Sequence, residues 1–100
     1  MAAEGAITGA LDLLSRRWAL RLVWELRRDS LTFSQLRERL AISPSVLSTR
    51  LSELKTADIA ERDGDRRYRL TGRGRELARL LYELNRWASS GGVSSGRELA

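Results

Sequence analysis

Cysteine and histidine are both absent from this chain of 100 residues, and proline occurs only once. Without cysteine the chain can form no disulfide framework, no thiolate metal site and no thiol redox switch. Without histidine it lacks the commonest metal ligand and the usual general base near neutral pH. These absences argue against an enzyme and against a metalloprotein, and we expect no cofactor.

Long apolar runs are missing as well. No segment approaches the roughly 20 consecutive apolar residues that cross a bilayer. The first ten residues, MAAEGAITGA, lack the basic region of a signal peptide. We therefore expect a cytoplasmic protein that makes no membrane contact. The length predicts a single domain, which we place at residues 1–88, and the Ser- and Gly-rich residues 89–100 predict a flexible tail.

Positive charge is in excess over negative charge. The chain carries 18 Lys and Arg against 13 Asp and Glu, which gives a formal net charge of +5. Such an excess favours a polyanionic partner, because basic side chains neutralise phosphates. Arginines that are merely solvated would give the same count, so the charge alone leaves both interpretations open.

Apolar spacing and turn residues predict a mainly α fold with a small β-wing (α+β). Ser15 and Ser34 are the expected N-caps of the second and third helices, and Asp58, which tolerates a left-handed backbone, is expected to close the fourth. Asp63-Gly64 predicts a tight turn between two strands, and Thr71 is the expected cap of the last helix. The predicted elements are a helix Ile7–Leu14, a second helix after Ser15, a strand Leu31–Phe33, a third helix after Ser34, a helix Pro44–Ala57, strands Ile59–Glu61 and Tyr68–Leu70, and a helix Gly72–Ala88.

The helix Pro44–Ala57 carries the functional argument. Ser43 before Pro44 is a strong helix start, because serine accepts bonds from unpaired N–H groups and proline at the first position loses none. Placing the leucines at 47, 51 and 54 in the core leaves a row of short hydroxyls facing outward. Short hydroxyls allow close approach to a DNA groove and can donate to phosphates or base edges. The predicted DNA-contacting residues of this helix and its start are Ser43, Ser45, Ser48, Thr49, Ser52 and Lys55, together with Arg50, for which a guanine contact, a phosphate contact or an ion pair with Glu53 or Asp58 all remain open.

The basic hairpin at residues 62–67 predicts a wing. Arg66 and Arg67 lie just past its tip, where a wing meets the DNA backbone or minor groove, although Asp63 and Asp65 offset part of that charge. In the preceding helix, Gln35 and Arg37 are expected to touch phosphates. Gly72-Arg73-Gly74 superficially resembles a phosphate loop, but the third glycine is missing, so we interpret these glycines as helix-start residues.

The first and last helices present apolar stripes that a domain of this size cannot easily cover. An exposed apolar face usually marks a protein interface, so we predict a homodimer that pairs through the terminal helices. Packing of both stripes onto their own domain is the alternative. The predicted interface residues are Ile7, Leu11, Leu14, Leu77, Leu80, Leu81, Leu84 and Trp87.

The ordered series of motifs resembles the HxlR family of bacterial transcriptional regulators, a winged helix-turn-helix group related to MarR. The resemblance covers about Ala10 to Ala88 and rests on Arg17-Trp18, the segment FSQL from Phe33, the segment ISP from Ile42, the segment LSTRL from Leu47, and YRLT from Tyr68. It implies a homodimer that binds operator DNA, with Pro44–Ala57 as the recognition helix and the wing centred on Gly64. The cysteine that many members use for sensing is absent here, so thiol-based sensing is excluded.

We therefore expect a sequence-specific DNA-binding transcriptional regulator that binds a palindromic operator as a homodimer. Two alternatives remain: a winged helix that serves protein–protein association, and a regulator that holds a small-molecule effector between the dimer helices, where Trp18, Trp24 and Trp87 would be candidate lining residues.

Overall fold

Five helices and one three-stranded antiparallel sheet make up residues 2–91, the part of the chain that the computed structural model describes, with side chains from Gly5 onward. This arrangement confirms the mainly α fold with a small β-wing. The elements in chain order are α1 (Ala2–Leu14), α2 (Ala19–Glu25), β1 (Leu31–Thr32), α3 (Phe33–Leu40), α4 (Pro44–Thr56), β2 (Ala60–Arg62), β3 (Arg67–Leu70) and α5 (Gly72–Ser90).

The sheet has the order β1-β3-β2, so β3 is its central strand. Leu31 lies opposite Tyr68 in β1–β3, and Arg62 lies opposite Tyr68 in β2–β3. Beyond Arg62 the hairpin closes through a bond of 2.8 Å from Asp63 N–H to the carbonyl of Arg67. Since β1 ends opposite Arg67, the turn projects past the sheet as a wing.

The core is built from leucines that several helices contribute to one cluster. Leu22 of α2, Leu36 of α3, and Leu47 and Leu54 of α4 are all fully buried. Full burial of such a side chain is worth about 1.5–3 kcal/mol relative to exposure. These contacts fix α4 against the domain and leave its opposite side facing solvent.

Two helix starts differ from the sequence prediction. Ser15 does not cap α2, because the chain makes a further turn and Trp18, in a left-handed backbone conformation with φ 78°, stands at the N-cap position without a side-chain cap. Ser34 does not cap α3, because Thr32 accepts a bond from Gln35 N–H while the Gln35 side chain accepts one from Thr32 N–H. Residue preference alone did not distinguish neighbouring hydroxyls.

The remaining predicted boundaries differ by a few residues. Helix α1 begins at Ala2 rather than Ile7, Phe33 belongs to α3 rather than to β1, and α5 continues to Ser90, so residues 89–90 are helical. Residues 92–100 of the predicted tail lie outside the described residues. The left-handed Asp58, with φ 60°, is confirmed just after α4, whose C-cap is Ala57.

Thr71 and Gly74 join the start of α5 to the end of α4. The Thr71 hydroxyl donates to the Asp58 carbonyl at 2.6 Å and accepts from Gly74 N–H at 3.0 Å. Gly74 is buried, and a Cβ at this position would overlap the carbonyl oxygen of Ile59. The glycine is therefore explained by close packing of backbone on backbone, as expected for a helix-start residue rather than a phosphate loop.

Membrane spanning was examined over the same part of the chain. No helix within residues 2–91 is both long enough and apolar enough to cross a bilayer.

Gly74→Ala should destabilise the fold because the added methyl group meets main-chain atoms that cannot move away independently. We expect a loss of about 1–3 kcal/mol or more in the free energy of unfolding, measured by urea denaturation at fixed protein concentration. Gly72→Ala is the matched control, because its Cβ would meet only the end of the flexible Arg75 side chain. Equal stability of the two variants would contradict the packing argument.

Candidate nucleic-acid interface

A short turn connects α3 to α4 and sets their relative orientation. Ala41 ends α3 in a left-handed conformation with φ 51°. Ser43 then caps α4 by accepting a bond of 3.3 Å from Val46 N–H, and Pro44 occupies the first turn. The predicted helix start at Ser43-Pro44 is confirmed, and its unpaired N–H groups form the kind of helix terminus that attracts phosphate.

The outer side of α4 is a continuous row of short hydroxyls. Leu47, Leu51 and Leu54 are at most 2% exposed, so the opposite side of the helix is directed away from the core. Thr56, seven residues after Thr49, lies on the same outer side and was missed, because the predicted contacts stopped before the last turn. We call this row the hydroxyl face; its exposed members are Ser45, Ser48, Thr49, Ser52 and Thr56, with the exposed Lys55 at its edge.

Arg50 is directed back into the protein rather than outward. Its Nε donates to the Arg17 carbonyl at 2.8 Å, and its guanidinium pairs with Glu53 at 3.1 Å. Glu53 also pairs with Arg16 at 2.6 Å. Of the contacts left open for Arg50, the ion pair with Glu53 is therefore the one observed, and it ties the α1–α2 connection to α4.

The wing turn is organised by Asp63. Its Oδ1 accepts bonds from Asp65 N–H at 2.8 Å and from Arg67 N–H at 3.0 Å. The bond from Arg67 N–H is the main reason why the pKa of this carboxyl lies below its ordinary value of 3.8. The ionised carboxylate thus stabilises a turn in which Arg66 adopts a left-handed conformation with φ 62°.

The two predicted wing arginines have different surroundings. Arg66 is exposed at the tip, whereas Arg67 is half-buried and its guanidinium donates to the Ser30 carbonyl at 3.3 Å. Arg62 was not among the predicted contacts, yet it is exposed on β2 with its guanidinium 5.7 Å from the centre of the Tyr68 ring. Its position at the start of the hairpin was the signal that could have identified it.

The predicted contacts of α3 are also divided. The Gln35 backbone N–H and side-chain oxygen are both used in the capping box with Thr32. Arg37 is exposed and, with Ser34 and Ser43, lines a depression beside the start of α4. Arg37 is therefore the α3 side chain better placed to meet a phosphate.

The predicted dimer residues separate into two groups. Leu14, Leu77 and Leu81 are half-buried and pack against the core of their own domain, as the alternative interpretation required. The other five are strongly exposed: Ile7 (55%), Leu11 (59%), Leu80 (66%), Leu84 (51%) and Trp87 (64%).

Comparison with known proteins gives concordant matches. Residues 13–94 match the family model for the HxlR-like helix-turn-helix. The HTH-type transcriptional regulator YvaP of Bacillus subtilis is 37% identical over 87 residues, which cover 80% of this chain and 81% of that protein.

Solved structures show the same fold. Quinone-bound YodB from B. subtilis has a TM-score of 0.78 at 30% identity, covering 85% of this chain and 96% of that one. The transcriptional repressor BigR from Xylella fastidiosa has a TM-score of 0.73 at 26% identity, covering 83% of this chain and 86% of that one.

Glu53→Gln should increase affinity for any DNA duplex. The change removes a negative charge beside the hydroxyl face and releases Arg16 and Arg50 from their ion pairs. We expect affinity to rise by roughly three- to tenfold, with a salt slope steeper by about 0.9 for each phosphate gained. Fluorescence anisotropy with random-sequence duplexes at several salt concentrations measures both quantities.

The matched control is Glu83→Gln, which removes the same charge from the exposed pair with Arg86 on α5. An equal gain in both variants would show a general charge effect, and no gain in either would contradict the role assigned to Glu53.

Proposed function

This chain belongs to the HxlR-like helix-turn-helix family, whose members are DNA-binding transcriptional regulators, and we propose that it binds a palindromic operator as a homodimer. The observation that carries the proposal is the hydroxyl face of α4, which is held outward by buried leucines on the opposite side of the same helix. The protein acts by binding rather than by catalysis, and it acts where the chromosome lies, in the cytoplasm.

In the proposed complex, α4 lies in the major groove with its first two turns against the base edges. Ser45, Thr49 and Ser52 are short enough for the helix backbone to approach the groove floor, and each can donate a hydrogen bond. The Thr49 methyl can also contact a thymine methyl. These side chains supply the preference for particular bases.

Phosphate contacts come from the surroundings of α4. Arg37 and the start of α4 lie on one side, Lys55 on the edge of the hydroxyl face, and Arg62 and Arg66 on the wing. Such contacts position the protein on the duplex without reading its sequence. The binding strength should therefore depend strongly on salt.

Dimerisation is proposed from the apolar side chains of the terminal helices. Leu80, Leu84 and Trp87 follow one another at helical spacing on one side of α5, and all are more than half exposed. A two-fold pairing through this stripe buries the same surface on both protomers. It would set the two α4 helices roughly 34 Å apart, one turn of B-DNA.

A second candidate role, the sensing of a small apolar effector, is favoured by a cavity of about 240 Å³ between α1, the end of α4 and α5. Leu13, Leu14, Ile59 and Leu77 are among its lining residues, so it adjoins both the proposed interface and the recognition helix. The three tryptophans do not line this cavity. The similar YodB structure holds a quinone, which supports a ligand-responsive member of the fold.

Thr49→Ala and Arg66→Ala should affect DNA binding in different ways. Duplexes captured from a random pool by the purified protein first define the operator and show whether it is palindromic. Thr49→Ala should then reduce discrimination against a changed operator base by about 1–3 kcal/mol, while Arg66→Ala should weaken all duplexes alike and lower the salt slope by about 1. Anisotropy titrations against operator and scrambled duplexes measure both effects.

Arg67 is left unchanged in this experiment because its bond to Ser30 supports the sheet. Unaltered discrimination by the Thr49 variant would remove the hydroxyl face from base recognition. An asymmetric captured sequence would contradict the palindromic operator.

Leu84→Glu combined with Trp87→Glu should convert the dimer to a monomer, because burying an unpaired charge at an interface is strongly unfavourable. Sedimentation equilibrium measures the mass directly. Tyr82→Glu is the control, since Tyr82 is similarly exposed (56%) but lies two residues away, on the other side of α5. Loss of dimer in the control, or a dimer retained by the double variant, would contradict the proposed interface.

A further inference from the structure

We propose that a second binding surface, separate from the DNA-binding face, takes a carboxylate-rich segment of a partner protein. We call it the arginine groove. It is a depression of about 310 Å³ between the end of α2 and the side of α5, lined by Arg27, Arg28, Arg75, Ala78, Arg79 and Tyr82.

The positive charge of the groove is not neutralised by the protein. The five ion pairs among the described side chains involve other arginines, and none includes Arg27, Arg28, Arg75 or Arg79. No carboxylate lines the groove. Four guanidinium groups around one depression repel each other, and an anion that binds among them relieves that repulsion.

Two of the arginines are held in place by neutral groups. Arg27 stacks over the Trp24 ring at 3.9 Å and donates to the Trp24 carbonyl at 2.8 Å. Arg75 donates to the Leu70 carbonyl at 3.1 Å. These contacts orient the guanidinium groups while leaving their charge intact, so a ligand would meet a partly preorganised site.

The sheet register places the groove away from the wing. Strand β3 runs from the hairpin turn at Arg67 towards Leu70, and β1 is antiparallel to it. Residues before Leu31, including Arg28, therefore extend past the end of the sheet opposite the turn. The Arg75 bond to Leu70 marks that same end. A duplex bound by α4 and the wing would leave the groove accessible.

The groove is also separate from the proposed dimer surface. Tyr82 lies two residues from both Leu80 and Leu84, and Arg75 and Arg79 are three and seven residues before it, so they share its side of α5. Leu80, Leu84 and Trp87 occupy the other side. Pairing through those three residues leaves the arginine groove exposed to solvent.

The chemistry of the groove favours a protein segment over a small anion. Sites for small molecules are mainly apolar and enclose most of the ligand. Here the floor is a single Ala78 with polar walls open to solvent, and arginine, tyrosine and tryptophan are the residue types enriched in protein interfaces. Arginine also pairs with carboxylates through two parallel hydrogen bonds. Spacing along two elements suits several acidic side chains of one partner.

The experiment is an NMR titration of the full-length protein, labelled with ¹⁵N, with a polyglutamate peptide as the probe. The arginine Nε–H resonances report the binding site directly. We expect the largest shifts at Arg27, Arg28, Arg75 and Arg79. Shifts concentrated at Arg37, Arg62 and Arg66 would show that the probe merely occupies the DNA-binding face, and would overturn the proposal.

A pair of charge-reversed variants tests the same site by affinity. Arg28→Glu with Arg79→Glu alters the two exposed arginines of the groove, and Arg21→Glu with Arg73→Glu makes the same charge change elsewhere on α2 and α5. We expect the groove variant to weaken polyglutamate binding at least about tenfold more than the control. Circular dichroism melting confirms that both variants fold.

Every other outcome contradicts the proposal. Equal weakening in both variants would show a general effect of net charge. Binding of pyrophosphate as tightly as polyglutamate, with the same shifts, would identify a small-anion site instead. Weaker duplex binding by the groove variant than by the control would assign the surface to nucleic acid.

Discussion

The burial of three leucines on one side of α4 is the constraint on which the rest of the structure depends. Leu47, Leu51 and Leu54 contact the common core, and rotating the helix would expose them to water. Each contributes about 1.5–3 kcal/mol by its burial, so the orientation of the helix is strongly fixed. The hydroxyl face is outward as a direct result, and serine and threonine, weak helix formers, are tolerated there because packing supplies the stability.

Competition for the arginines decides which of them are available to DNA. Arg50 and Arg67 both lie close to the DNA-binding face, but neutral carbonyls and Glu53 already bind their guanidinium groups. Arg66 and Arg62 remain exposed on the wing. The protein thus uses part of its positive charge to hold the α1–α2 connection and the sheet in place, and part to attract phosphates.

Three surfaces of different chemistry lie on different sides of one small domain. The hydroxyl face and wing suit a duplex, the exposed apolar stripe of α5 suits a second copy of the chain, and the arginine groove suits an acidic segment. Because α5 contributes to the last two on opposite sides, dimerisation and partner binding need not exclude each other. The helix therefore connects assembly with recruitment, while α4 recognises DNA.

The sequence by itself determined the order of elements, the start of α4 at Ser43-Pro44, the left-handed Asp58 and the outward side of the recognition helix, because these follow from local preference and helical spacing. Tertiary structure alone decided the rest. Thr32 rather than Ser34 caps α3, because the cap depends on which oxygen the folded chain brings to Gln35 N–H. Arg50 meets Arg17 across 33 residues, a separation that no local pattern encodes. Leu14, Leu77 and Leu81 are drawn into the core while Leu80, Leu84 and Trp87 are left outside, because a helix with a wide apolar stripe can bury only the side that its neighbours contact.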